Sequence, residues 1–148
     1  MERTFIMLKP EAIKRRLIGE LISKFEKVGY TVECIKSLLP TKEIVQKHYS
    51  EHLSKKFYPS LESSITSGMV VCLIVSGKNV VENCRKIIGA TDPMKSAPGT
   101  IRGDYAVDLG RNVIHGSDSK ESAEREIGIW FGEIKTERVL FDHELIYE

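Results

Sequence analysis

Apolar residues fall along this chain in two rhythms, one of strands and one of helices. Thr4 to Leu8 reads as a short buried strand, apolar at every position from Phe5 onward. Met69 to Val75 repeats the pattern as seven consecutive apolar residues, which predicts a central strand covered on both sides. Between them Pro10 suits the first turn of a helix, with Glu11 on the favourable side of its dipole. Leu17, Ile18, Leu21, Ile22, Phe25 and Val28 then follow helical spacing, and Gly29 can end the helix. Tyr30 to Leu39 reads as a second strand closed by Pro40. Thr41 starts a polar helical region reaching about His52, and a short helix covers Tyr58 to Thr66.

Further on, Asn79 can cap a helix whose inner face is Val80, Val81, Cys84, Ile87 and Ile88. Gly89 to Gly103, rich in Gly, Pro, Thr and Ser, reads as a long ordered loop. Val113-Ile114 marks a last strand. Asp118 then begins a helix, with Glu121 placed as in a capping box and Ala123, Ile127, Trp130 and Phe131 on its inner face. This order predicts an α+β fold of the ferredoxin-like type. It is an antiparallel four-stranded sheet with a βαββαβ core and helices on one face, in a single domain over residues 1–148. The other face then needs a cover. A second subunit is the simple candidate, and loops or the C-terminal tail are the alternative.

Composition narrows the partners. The 148 residues carry 22 Lys+Arg against 21 Asp+Glu, a formal charge of +1, so no whole-molecule field points to nucleic acid or membrane. Phosphate binding must come from a local cluster, and Lys14-Arg15-Arg16 reads as a solvated helix face. Cys34, Cys72 and Cys84 are odd in number and lack CxxC spacing, which argues against a disulfide framework or a zinc site. The short apolar run near the N-terminus does not resemble a signal peptide, so a cytoplasmic location is expected.

Familiar phosphate motifs are missing. Gly77-Lys78 is followed by Asn79, so there is no P-loop, and neither GxGxxG nor a protein-kinase signature occurs. What remains is a set of cations and hydroxyls at strand ends, loops and helix starts: Lys9, Arg85, Thr91, Arg102, Asn112, His115 and Ser117-Asp118. Taken singly, each has an ordinary structural explanation. His48, His52 and His143 read as surface residues. His48 and His52 are spaced i,i+4, but the glutamate of an HExxH metal site is absent.

Asn112-Val113-Ile114-His115-Gly116-Ser117-Asp118 resembles the active-site signature of nucleoside diphosphate kinases. The resemblance runs through the chain: Lys9-Pro10-Glu11, His48-Tyr49, Lys56-Phe57, Gly89 to Pro93, Pro98 to Asp104, Glu124 to Ile127, and the tail Ile146-Tyr147-Glu148. There are departures. Glu11 stands where the family usually has Asp, Ala12 and Arg16 where Gly is common, and Asp92 where Asn is frequent.

The resemblance implies transfer of the γ-phosphoryl of a nucleoside triphosphate to a nucleoside diphosphate, in ping-pong fashion, through a phosphohistidine at His115. It implies broad base and sugar specificity. It implies Glu126 as the partner of the imidazole, steadied by Ser117, although Glu126 read alone is a solvated carboxylate pairing with Lys120 or Arg125. Arg85, Arg102, Thr91 and Tyr49 would hold phosphates, Lys9 and Asn112 the ribose hydroxyl and phosphates, and Phe57 the base. Mg²⁺ would come mostly with the nucleotide, with Asp118 as an outer-shell contact. Self-association is implied as well, as a homohexamer built from dimers. The competing expectation is a non-catalytic nucleotide- or phosphate-binding regulatory module, which predicts a missing nucleophile or a broken clasp.

Overall fold

A computed structural model describes residues 2–133. His143 and Ile146-Tyr147-Glu148 lie outside them. The sheet is built around β1 (Arg3–Leu8), which pairs antiparallel with β3 (Val70–Ser76) on one side and β4 (Ile114–Gly116) on the other. β2 (Thr31–Leu38) adds to the outer edge of β3, giving the order β2-β3-β1-β4. This is the ferredoxin-like α+β arrangement expected. The two apolar runs are its two central strands, with every residue of β3 buried.

Period-two alternation sorts their side chains. Ile6, Leu8, Val71, Leu73 and Val75 face a core closed by α2 (Ile18–Lys27) and α5 (Val80–Ile88), the two crossover helices. Phe5, Met7, Val70, Cys72 and Ile74 face a second core. There the reading of helices on one face needs correction. The opposite face is covered by the chain's own α3 (Lys42–His48), α4 (Tyr58–Ile65) and α7 (Lys120–Phe131), through Val45, Ile65, Ile127, Trp130 and Phe131. No second subunit is needed there. Burying a side chain such as Phe5, which is fully enclosed, contributes roughly 1.5–3 kcal/mol.

Local chemistry explains the other departures. The helical pattern after Pro10 breaks into α1 (Pro10–Lys14) and α2. At the break Leu17 N–H donates to Ala12 O and Arg16 N–H to Ile13 O, both at 3.0 Å, a Schellman ending. That ending puts Arg16 at φ 62°. The same motif closes α2, with a glycine, Gly29, at φ 99°. Asn79 does not cap α5 with its side chain, since its backbone is left-handed. Instead the Glu2 carboxylate accepts Val81 N–H at 3.0 Å. The cap of α7 is Ser119, which accepts from Ser122 N–H at 3.1 Å, and not Asp118. The loop after Gly89 holds a 3-10 turn, Pro93–Lys95, and the start of α6 (Ile101–Tyr105).

Arg16 is exposed and carries a conformation that glycine adopts without steric cost. Arg16→Gly is expected to stabilise the fold by about 0.5–1 kcal/mol, the left-handed penalty less the added freedom of the unfolded chain. The urea unfolding midpoint measures it, and it should rise at unchanged slope.

Candidate active site

His115 is the middle residue of β4, paired with Met7 of β1 at the sheet edge. Its Nε2 lies 2.6 Å from Glu126 Oε1. Glu126 is 3% exposed, so it is the opposite of a solvated glutamate. Positions 123, 126, 127 and 130 share one face of a helix, and α7 buries all four. Ser117 Oγ donates to the same carboxylate oxygen at 2.8 Å. A buried carboxylate accepts only, so Nε2 carries the proton and donates it, and Nδ1 keeps its lone pair.

The cleft in front of His115 has a volume of about 650 Å³. Lys9, Tyr49, Phe57, Arg85, Thr91, Arg102 and Asn112 all line it, drawn from the residue after β1, the end of α3, α5, α6 and the loops. Lys9 directly follows β1 and is 8% exposed, with Nζ donating to Asn112 Oδ1 at 2.7 Å. Asn112 Nδ2 in turn donates to Thr91 O at 3.1 Å. Burial brings the Lys9 ammonium down to about 8, opposed in part by the nearby Glu11 carboxylate. Arg102 is held by Ile114 O at 2.6 Å and Asn112 O at 3.3 Å, and burial with the neighbouring Arg85 lowers its guanidinium to about 10. Arg85 Nη1 donates to Gly116 O at 3.3 Å. Burial pushes the Tyr49 phenol well up, so it stays a hydroxyl. Phe57 is 53% exposed at the rim, an open aromatic face.

Sequence reasoning missed several cleft residues. Ser60 and Leu61 line the wall with Phe57, and their spacing of i+3 and i+4 was the available signal. Arg111, beside Asn112, adds a cation and is tied to α4 by Arg111 Nη1 donating to Ser64 Oγ at 3.1 Å. His52, read as surface, lines the cleft with its ring 5.8 Å from that of Phe57. Asp118 lies outside the main cleft, in an adjoining pocket of about 100 Å³ shared with Arg125, His48 and His115.

His48 also needs correction. It is 3% exposed, with its ring 4.5 Å from that of His115 and its Nδ1 accepting Trp130 Nε1–H at 2.9 Å. His48, His115 and Glu126 offer ligand atoms within 4.8 Å of one another, which among the described residues is the only such group. That donor set is nitrogen-rich and committed to internal hydrogen bonds, so it does not suit a hard cation such as Mg²⁺.

The arrangement places a nucleophilic nitrogen at the floor of a cleft whose walls supply buried cations and hydroxyls. That chemistry fits a phosphate-bearing ligand.

Comparison with known proteins agrees. The family model described as "Nucleoside diphosphate kinase" matches residues 2–136. The chain is 51% identical over 148 residues to a nucleoside diphosphate kinase 1 of Nicotiana tabacum, covering 100% of both chains. It is 52% identical over 130 residues to a cytosolic nucleoside diphosphate kinase of Dictyostelium discoideum, covering 88% of this chain and 84% of that one. The crystal structure of an Encephalitozoon cuniculi nucleoside diphosphate kinase superposes with a TM-score of 0.93 at 47% identity, covering 99% of this chain and 100% of the other.

Proposed function

The chain belongs to the nucleoside diphosphate kinase family, and on that premise we propose that His115 carries the phosphoryl group between nucleotides. The enzyme moves the γ-phosphoryl of a nucleoside triphosphate to a nucleoside diphosphate. The observation that carries the His115 assignment is the 2.6 Å contact of its Nε2 with buried Glu126, which leaves Nδ1 as the nucleophile.

In the first half-reaction the Nδ1 lone pair forms a bond to the γ-phosphorus. The bond from that phosphorus to the bridging oxygen breaks, and the electron pair leaves on the diphosphate. The imidazole keeps its Nε2 proton, and the positive charge it gains is met by Glu126, with Ser117 steadying the carboxylate. A second diphosphate then attacks the phosphohistidine in the reverse sense. Because the transferring group has diffuse negative charge, placement and electrostatics dominate. Arg85, Arg102, Thr91 and Tyr49 hold phosphates, and Lys9 and Asn112 reach the ribose hydroxyl and the phosphates. Each charge-assisted bond is worth about 1.5–3 kcal/mol, so losing one arginine slows turnover roughly 10- to 100-fold. The base stacks on Phe57 at the open rim, where any base offers a π-face, which supports broad specificity.

Asp118, in the pocket adjoining the cleft, would be an outer-shell contact for Mg²⁺ brought in mostly by the nucleotide. When bound, the ion neutralises charge on the phosphate oxygens. A non-catalytic module would lack a nucleophile or a cation of the clasp, whereas all of them are present around one cleft.

The single domain assembles as a homohexamer built from dimers. The β2 edge, which pairs with no further strand among the described residues, supports self-association. A cytoplasmic location is supported by free Cys34, Cys72 and Cys84, and by the cytosolic Dictyostelium relative. No helix among the described residues is long and apolar enough to cross a membrane.

Incubation with γ-labelled ATP and Mg²⁺ is expected to label the protein with a phosphate stable to alkali and lost in acid. Label persisting in His115→Ala would overturn the carrier assignment. Lys9 is charged below about pH 8 and loses its proton above it, so anion affinity should fall as pH rises through that value. The kcat/KM profile is expected to drop there, and Lys9→Arg, whose guanidinium stays charged through that range, to abolish the drop. Light scattering on the purified protein is expected to read six chain masses; a monomer would refute the assembly.

A further inference from the structure

Between Asn112 and His115 the backbone stores strain. Val113 has φ 64°, and a β-branched residue takes that conformation only where its surroundings impose it. Ile114 N–H donates to Asn112 O at 2.8 Å, closing a three-residue γ-turn on Val113, the rare and strained hand of that turn. Both polar groups of Val113 are held by the segment that follows β1. Its carbonyl accepts Lys9 N–H at 2.9 Å, and its N–H donates to Glu11 Oε2 at 3.3 Å. Arg102 holds the carbonyls of Asn112 and Ile114 on either side, but it leaves the Val113 N–H to Glu11.

We propose that Glu11 is a positioning residue whose carboxylate, through the Val113 N–H, holds this turn and so sets Asn112 and His115. The proposal rests on the catalytic reading of those two residues given above. Glu11 does not line the cleft. It acts at one remove, since a relaxed turn would carry Asn112 Oδ1 away from Lys9 Nζ and shift the register of a strand only three residues long. Glu11 also faces the Lys9 ammonium, so its charge has a rival role there. The two roles separate by substitution. Glu11→Gln keeps an acceptor oxygen and loses the charge, whereas Glu11→Ala loses both.

The experiment measures the rate of phosphohistidine formation in single turnover, with thermal unfolding followed alongside. Glu11→Ala is expected to slow the step about tenfold, in keeping with the strain released. Glu11→Gln is expected to stay within about threefold of the parent, because a neutral acceptor keeps roughly half the strength of the bond. Val113 is fully buried in the core, so Val113→Gly by itself carries a packing cost and serves as the reference for the double variant. Because glycine takes φ 64° without a restraining carboxylate, adding Glu11→Ala to Val113→Gly is expected to slow the step by less than about threefold, against about tenfold in the parent. Glu11→Gln as slow as Glu11→Ala would assign the effect to the Lys9 charge and overturn the proposal. An equal loss on adding Glu11→Ala to the parent and to Val113→Gly would overturn it too. Backbone NMR couplings at Val113 read the turn without turnover: an unchanged Val113 coupling in Glu11→Ala would sink the proposal even if His115 proved not to be the carrier.

Discussion

A carboxylate buried on a helix is too costly to leave without donors, and Glu126 is such a group. Its desolvation amounts to several kcal/mol, offset only if hydrogen bonds reach it in good geometry. Two do, from His115 and Ser117, and both come from the strand-and-turn segment that faces α7. The same contact therefore docks a helix on the second face of the sheet, selects a tautomer and exposes one nitrogen. Removing either donor would leave charge in a low-dielectric site. The orientation of the His115 imidazole is thus fixed by a requirement of folding.

The cations in front of it follow the opposite logic. Lys9 and Arg102 are buried and both have their protonated forms weakened by that burial. Internal acceptors satisfy them only in part: Lys9 bonds an amide oxygen, and Arg102 bonds carbonyls. Neutral acceptors fix the geometry without cancelling the charge. A phosphate entering the cleft meets donors already oriented and already stripped of much of their water, so little reorganisation accompanies binding.

Some of this was legible in the sequence, for identifiable reasons. Runs as apolar as Phe5–Leu8 and Val70–Val75 have no stable place except the middle of a sheet, and α5 announced itself by spacing alone. The cover on the second face was harder to read, because α3 and α4 are short and mostly polar, and only tertiary contact shows Val45 and Ile65 turned inward. Arg16 illustrates a different limit. A Schellman ending is written in backbone geometry, and an arginine at the position where glycine is usual hides it. The cleft residues lie up to 106 positions apart, from Lys9 to His115, so no local pattern gathers them; only the resemblance did. Glu126, read apart from the resemblance, and His48 were misread because a charged or titratable residue on a helix defaults to solvent, and burial depends on donors that lie far off in sequence.

His48 shows why that burial matters to the chemistry. A second imidazole 4.5 Å from the first would oppose any positive charge on it if both could be protonated. Burial, foremost, and then the neighbouring His115, Arg125, Lys9 and His52 hold the His48 imidazole well below its usual range. The Trp130 indole reinforces this by donating to Nδ1, which a protonated ring could not accept. His48 is therefore a neutral, shape-filling neighbour. On the reading proposed for His115, the charge that phosphorylation of Nδ1 would place on its ring has Glu126 as counter-charge and no adjacent imidazolium competing for it. An aromatic cluster made of Phe5, Trp130 and two imidazoles thus separates the two rings by burial and by hydrogen bonding, with His48 accepting from an indole in the core and His115 bonded to a carboxylate at the cleft.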